Sequence, residues 1–418
     1  MSAKSVSTRR TNCRLCGESP LDTVMTLAPT AIEDAFVPAE RLGEVQETYP
    51  LELALCRGCG HLQLLDTIDP EVLFADFIYV SASSPGLIDH FQKMAERLIA
   101  RFKLAPAALA VDIGSNDGTL LRFLKERGLR VLGVDPAREI ARHATESGVL
   151  TWPNFFTKDL ALRIKREFGP AAIVTANNVF AHSDNLADMA DGIGQLLAPD
   201  GVFVFEVAYL VDLIQQKVFD SVYHEHLSYH AVKPLVSFLR RHGMELVDVE
   251  RVATKGGSLR ATAQLIGGPR SASKSVAELI ALEEKLGLDK AETFRAFAAE
   301  IDAAKSALVR LLTDLRASGK TVAGYGASPT VTTLLYHFGL SPFIDFIVDD
   351  NALKHGLFSP GHHIPVYPSQ ALYERKPDYV VVLAWRFAGL ILKKHQAFLD
   401  QGGRFIVPLP KLEVVSAP

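Results

Sequence analysis

Residues 111–121 read VDIGSNDGTLL: an apolar run, a turn bracketed by Gly114 and Gly118, then the apolar opening of a helical pattern. A short apolar run closed by glycine and followed at once by helical periodicity is a strand feeding a helix through a tight turn. The pattern recurs. The runs LAVDIG (109–114), RVLGVD (130–135), AAIVTAN (171–177) and GVFVFEVA (201–208) alternate with LLRFLKERG (120–128), IARHATESG (140–148) and LADMADGIGQLL (186–197). Repeated strand–helix alternation predicts an α/β fold, a parallel Rossmann-like sheet with helices on its faces. Ligands of such sheets sit at the carboxyl ends of the strands.

Three of those ends carry polar residues. The first holds Asp112, Gly114, Asn116, Asp117 and Gly118; it is not GxGxxG, so a pyrophosphate cradle is not expected. The second is Asp135, a carboxylate able to accept from both hydroxyls of a ribose. The third, TANNVFAH, carries Asn177, Asn178 and His182, and Asn154 in WPNFF is grouped with this set. Taken singly these are a packing glycine, a helix cap and turn asparagines. Together, at the correct strand ends, they favour S-adenosylmethionine, which needs ribose and adenine contacts without a pyrophosphate cradle.

The four cysteines all lie in the first sixty residues, as Cys13 and Cys16 in NCRLCGE and Cys56 and Cys59 in LCRGCGH. Two CxxC knuckles place four thiolates around a structural Zn²⁺ with no open position, and Gly58 and Gly60 are the expected turn residues. His61 is a spare ligand beside a shell that four sulfurs already complete. Disulfides or a redox pair are the competing readings, and a reducing compartment and the Gly-flanked turns argue against both.

Hydrophobic residues make up 48% and charged residues 22% of the 418 positions, which excludes wholesale disorder. A net charge of -4 offers no field for nucleic acid or anionic lipid. No apolar stretch approaches the roughly 18–20 residues of a membrane span. The opening MSAKSVSTRRTNCRLCG lacks the apolar core of a secretory signal, so a cytoplasmic protein is expected.

Beyond the last of these strands, VFDSVYHEHLSYHAV (218–232) packs Tyr223, His224, Glu225, His226, Tyr229 and His230 together. So many polar groups in one short stretch are poor core material. HEH lacks the HExxH spacing of a helical zinc site, and general acid–base chemistry fits better. The C-terminal hundred residues repeat the strand–turn–helix pattern in TVAGYGASPTVTTLL (321–335), FIDFIVDDN (343–351) and PDYVVVLAWR (377–386). Between the two halves, residues 275–319 contain no proline and read as one or two long helices that pack both domains or a partner chain.

DIGSNDG, YHEHLSY, GGSLR and GYGAS…VDDN, in this order behind a two-knuckle module, resemble the nucleotide-sugar C-methyltransferases, particularly the 3-C-methyltransferases of branched deoxysugars. The resemblance covers almost the whole chain. It implies a class I S-adenosylmethionine methyltransferase core (89–305), an N-terminal zinc-ribbon-like module (1–88) and a Rossmann-like C-terminal domain (306–418) that helps hold the nucleotide-sugar. The implied substrate is a dTDP-linked or related 4-keto-6-deoxysugar methylated at carbon 3. The implied catalytic set is His226 as base, His182 beside the substrate, Tyr223 and Glu225 assisting, and Tyr79 reaching in from the zinc module. Gly326, Ala327 and Ser328 are the expected diphosphate contacts. Lys255 departs from the family, which often has histidine before GGSLR. The chain is expected to act as a monomer or homodimer without nucleic acid or membrane. An O- or N-methyltransferase, which needs no enolate stabiliser, is the alternative activity; a non-catalytic, zinc-stabilised nucleotide-binding protein is a further reading, against which the packed YHEHLSYH segment argues.

Overall fold

The computed structural model describes residues 6–74 and 85–417. The cysteine-rich segment folds as short strands: Ser7–Arg9 (β1), Leu21–Thr30 (β2), Tyr49–Cys56 (β3), Leu62–Leu64 (β4) and Asp66–Ile68 (β5). β2, β3 and β4 form an antiparallel meander, and β1 pairs with β5.

The central sheet contains Leu109–Ile113 (β6), Arg130–Val134 (β7), Thr151–Trp152 (β8), Ala171–Asn177 (β9) and Leu197–Ala208 (β10). These five are parallel in the order β8-β7-β6-β9-β10. β6 is buried at every position, as a strand covered on both faces must be, which is why LAVDI reads as a continuous apolar run apart from Asp112. The chain runs outward from β6 to β8 and then returns to β9, so the topological switch point lies between β6 and β9. The strand Ser228–Tyr229 (β11) leaves this sheet altogether. Met244–Val252 (β12) and Ser258–Leu265 (β13) extend the edge beyond β10 as an antiparallel hairpin, which the alternation in the sequence does not announce.

β11 comes from the YHEHLSY segment and pairs with β4 of the cysteine module, through Ser228 with Gln63 and Tyr229 with Leu62. The third sheet follows the order Val366–Pro368 (β16), Ile347–Asp349 (β15), Val322–Tyr325 (β14), Tyr379–Val382 (β17), Arg404–Val407 (β18) and Glu413–Val415 (β19), parallel except for β19. Two helices, Lys274–Leu286 and Ala291–Ala317, occupy the proline-free stretch. The second buries Phe294, Phe297, Ile301, Leu308 and Leu312 along one face and packs on β2 and on the helix Pro329–Phe338. It runs unbroken through residues 305 and 306, so the junction with the C-terminal domain falls inside a helix. No helix among the described residues is long and apolar enough to cross a membrane.

The three modules share one apolar core, from Cys13 and Leu53 through Phe205 and Phe219 to Leu334 and Leu409. Polar contacts reinforce it. The buried Glu33 carboxylate pairs with His224 Nδ1 at 3.0 Å and accepts from the Glu225 amide at 2.9 Å. Its neighbour Asp34 pairs with Lys354 of the C-terminal domain, and Val37 bridges Phe358. The Trp385 indole and the Arg386 guanidinium both donate to the buried Asp220, each at 2.9 Å.

Removing one partner of a buried ion pair leaves the other desolvated and unpaired, a loss of about 3–5 kcal/mol. Glu33→Ala should therefore lower the free energy of unfolding by an amount of that order, read as a lower denaturation midpoint. A midpoint equal to that of the parent chain would show that the pair does not hold the modules together.

Candidate active site and metal centre

The metal centre is local in origin. Each knuckle turns through a glycine, with Gly17 N donating to Cys13 O and Gly60 N to Cys56 O, both at 2.9 Å. Gly17 and Gly60 have φ of 79° and 76°, where a Cβ would be strained. The turn residues are thus Gly17 and Gly60; Gly58, expected from the sequence, is not in the left-handed region. The four Sγ atoms lie within 4.8 Å of one another, with Cys13–Cys59 at 3.6 Å and Cys16–Cys56 at 3.4 Å. Zn–S bonds of about 2.3 Å place tetrahedral sulfurs about 3.8 Å apart, so this set fits a zinc ion without rearrangement. All four are free thiols, which removes the disulfide reading. His61 points away from the sulfurs, with Nε2 3.2 Å from Ser228 Oγ and its ring on that of His230.

At the switch point, the β6–helix turn is shaped for close approach. A Cβ on Gly114 would fall 2.2 Å from Val179 Cγ2, and one on Gly118 2.9 Å from Val149 Cγ1. Asn116 adopts φ 50°, and its amide donates to Asp135 Oδ2 at 2.8 Å while Ala137 N donates to Oδ1 at 2.9 Å. Asp135 is thereby oriented at the end of β7, its pKa raised by burial. Asn177 ends β9 with both side-chain amide atoms buried and without a partner among the described residues, an orphaned group of the kind a bound ligand satisfies. Asn178 sits at φ 56° with its amide on Glu206 O at 2.7 Å. These residues fit an adenosyl cofactor. Three others of the expected set have local partners or lie at the surface. Asp112 is buried and accepts from Thr175 Oγ1 at 2.6 Å, burial pushing its pKa up to about 7. Asp117 turns to its own helix, accepting from Thr119 N and Oγ1. Asn154 is exposed, with its amide on Trp152 O.

The YHEH segment folds back beside this cleft. His226 Nδ1 lies 2.7 Å from the Ser221 carbonyl; donation there leaves Nε2 with the lone pair. The Tyr223 ring packs 4.0 Å from the His226 ring, and the His182 ring lies 5.1 Å from it. His182 stacks on Phe74, and its buried Nε2 has no partner among the described residues. Burial holds His182 well below its ordinary range and pushes His226 down to about 4, so both rings are neutral at neutral pH. Burial, then the nearby Glu33 and Asp34, holds Glu225 well above the usual carboxylate range. Lys255 stands at the rim at φ 52°, lowered by desolvation and supported by Glu225 and Glu206. Tyr79 lies outside the described residues.

Several neighbours escaped the sequence reading. Glu206, at the end of β10, is gripped by Arg260 Nε at 2.6 Å and His90 Nε2 at 2.8 Å. Arg260 was visible as the last residue of GGSLR, and Glu206 as a lone charge in an apolar strand. Glu33 and Asp34 were similarly visible as two acids inside the apolar AIEDAF. The C-terminal diphosphate expectation is not met as written: Gly326 N already donates to Val348 O at 2.8 Å and Ala327 N to the Asp349 carboxylate at 2.6 Å. Amides so occupied, beside a carboxylate, do not form an anion cradle.

A four-thiolate module, a class I sheet with its cleft at the switch point and a second Rossmann-like sheet together define a three-part methyltransferase, and the chain belongs to the C-methyltransferase family. Family profiles match in sequence as a putative zinc binding domain at residues 13–74, a methyltransferase domain at 88–249 and a C-methyltransferase C-terminal domain at 253–410. The C-methyltransferase NovU of Streptomyces niveus is 35% identical over 406 residues, 97% of this chain and 97% of that protein. The chain is an S-adenosylmethionine-dependent enzyme with a structural zinc site, and transfer to carbon displaces the O- or N-methyltransferase alternative. Among solved structures, the magnesium protoporphyrin IX methyltransferase of Synechocystis is 17% identical, with a TM-score of 0.33 over 43% of this chain and 79% of that one. The CcbJ methyltransferase of Streptomyces caelestis is 17% identical, with a TM-score of 0.34 over 46% and 94%.

Two measurements check the two centres. Cys56→Ser should lose the bound zinc and loosen the module, since zinc binding and folding are coupled; elemental analysis and melting curves matching the parent would contradict the assignment. Asp135→Ala should weaken S-adenosylmethionine by about 1.5–3 kcal/mol, the range for hydrogen bonds to a charged group. Calorimetry returning the parental affinity would remove Asp135 from the cofactor site.

Proposed function

We propose that this enzyme methylates carbon 3 of a nucleotide-linked 4-keto-6-deoxysugar, of the dTDP type. The observation that carries the reading is the pair His226 and His182. One presents a lone-pair nitrogen fixed by the Ser221 carbonyl, the other a buried nitrogen without a partner among the described residues, with rings 5.1 Å apart.

Carbon becomes a nucleophile beside a ketone when its proton is removed and the enolate oxygen is stabilised. In this reading His226 Nε2 takes the carbon-3 proton, and the C–H electrons move into the enolate. His182 Nε2 carries a hydrogen and donates it to the carbon-4 oxygen. Tyr223, packed on His226, keeps the base aimed and excludes water, and Glu225, held as the neutral acid, is a second donor. Bound S-adenosylmethionine supplies a methyl group made electrophilic by its sulfonium. The new carbon–carbon bond forms as the sulfur–methyl bond breaks, and the ketone is restored. His226 then returns its proton to solvent.

The substrate assignment is tested by incubating the enzyme and S-adenosylmethionine with dTDP-, GDP- and CDP-linked 4-ketosugars and seeking a mass gain of one methylene. Carbon 5 also flanks a 4-ketone, so the product's proton spectrum must place the methyl at carbon 3; a carbon-5 methyl overturns that part of the proposal. His226→Asn should cut turnover by about 100- to 10,000-fold with both ligands still bound, and should abolish deuterium exchange at carbon 3. Exchange at the parental rate would eliminate His226 as the base. Because burial pushes His226 down to about 4, the base is already neutral throughout the neutral range. Activity limited by it should be level from neutral pH into mild acid and fall only as the pH approaches that value. A limb centred near an ordinary histidine value and absent from His226→Asn would contradict this.

A further inference from the structure

Arg14 lies inside the first zinc knuckle, between the thiolates of Cys13 and Cys16, yet its guanidinium points away from the metal centre and into the core. It is buried to 4% exposure. Nε donates to Asp184 Oδ1 at 3.0 Å, Nη2 to Thr67 Oγ1 at 2.7 Å, and Nη1 to the carbonyls of Leu64 and Leu227. The Thr67 hydroxyl in turn donates to the same Asp184 oxygen at 3.1 Å.

Asp184 and Leu227 are distant in sequence, but each flanks a histidine of the candidate site: Asp184 follows His182 by two residues, and Leu227 follows His226 directly. The two segments also touch each other. The Ala181 carbonyl accepts from Leu227 N at 3.0 Å and Ser228 N at 3.1 Å. The histidine-bearing backbones are thus joined on one side by their own amides and on the other by the Arg14 guanidinium, which reaches both. Arg10 also holds the Asp184 segment, its Nη1 donating to the Asp184 carbonyl at 2.8 Å and pairing with its carboxylate at 2.9 Å. A planar fork with several fixed donors can hold two acceptors at a set separation, which a lysine ammonium cannot do with the same geometry.

We propose that Arg14 is a positioning residue for the methyl transfer: held by the zinc knuckle, it sets the spacing of His182 and His226 by gripping Asp184 and the Leu227 carbonyl at once. The zinc centre, remote from the reaction, then contributes to turnover and not only to folding. This rests on the catalytic reading of the two histidines.

The test compares Arg14→Lys and Asp184→Asn with the parent enzyme. Arg14→Lys keeps the charge and loses the fork; Asp184→Asn weakens the same grip from a side chain that is part-exposed, so the fold is less at risk. Both should lower kcat by about 10- to 100-fold, the scale of a misplaced catalytic group. The Michaelis constant, the S-adenosylmethionine affinity and the zinc content should stay near parental values. In ligand-free protein with labelled histidine, the imidazole signals of His182 and His226 should move in both variants, which is independent of activity. The double variant should be less impaired than the two single effects combined, because the Arg14–Asp184 link is common to both, although Asp184→Asn also loosens the Arg10 pair. Parental kcat with unmoved signals in whichever variants fold overturns the proposal, as does a loss of activity that only tracks lost zinc or lost folded protein. His226→Asn run alongside separates the two levels: full turnover there defeats the catalytic reading, whereas an inactive His226→Asn with a fully active Arg14→Lys defeats only the role of Arg14.

Discussion

The Glu33 carboxylate is the contact on which the assembly turns. One of its oxygens faces His224, the other takes the Glu225 amide, and both residues belong to the loop that carries His226. A carboxylate buried this deeply is costly unless its lone pairs are matched, and here they are matched entirely by the YHEH segment and local backbone. His224 completes the arrangement by placing its second nitrogen 3.3 Å from the Tyr49 carbonyl of the cysteine module. Each polar group is tolerable only because the others are present. The module and this loop therefore cannot separate without exposing or stranding several buried groups together.

That constraint shapes the electrostatics of the cleft. Desolvation keeps His182 and His226 neutral and favours the neutral form of Glu225, while the charged groups nearby are paired: Glu206 with Arg260 and His90, and Asp220 with Arg386. Charge developing on a substrate oxygen would then meet oriented donors in a weakly screening environment, where a fixed dipole acts more strongly than it does in water. Lys255 lies close enough for its charge to oppose protonation of both histidines. A cation at that position biases the cleft toward an anionic species.

Elements whose signal is local were legible in the sequence. The strand–helix alternation gave the parallel core because each strand is buried on both faces, and the CxxC spacing gave the metal centre because each knuckle is a closed turn. That Asp135 and Asn177 stand at the carboxyl ends of parallel strands was legible because the alternation fixes where each strand stops. What was not legible depends on chain segments far apart. Nothing near Glu33 marks it as the partner of His224, 191 residues on. The antiparallel β12–β13 hairpin was hidden because a strand's direction leaves no trace in its own residues. Asp112 shows another limit: its position in the motif places it on the strand but does not say that its side chain accepts from Thr175. Gly326 and Ala327 fit the same pattern, since a glycine-containing turn after a strand shows where amides lie but not whether β15 already uses them.

A class I sheet leaves the carboxyl ends of its strands open, and chemistry on a carbon acid needs that opening closed and dry. The loop from Val218 to Ala231 supplies the groups, but it cannot satisfy them alone. Its hydrogen bonds and ring contacts are completed by Glu33 and β4 from one module and by Trp385, Arg386 and Thr333 from another. A short cysteine-rich segment has too little core to be rigid unaided, and metal crosslinking supplies what burial cannot. The zinc is then the condition under which a small, otherwise pliable module can press a charged residue into the core of its neighbour. The three-part order of the chain follows from this: the sheet forms the cofactor fold, and the outer modules hold the loop across its open end in a conformation that its own sequence would not maintain.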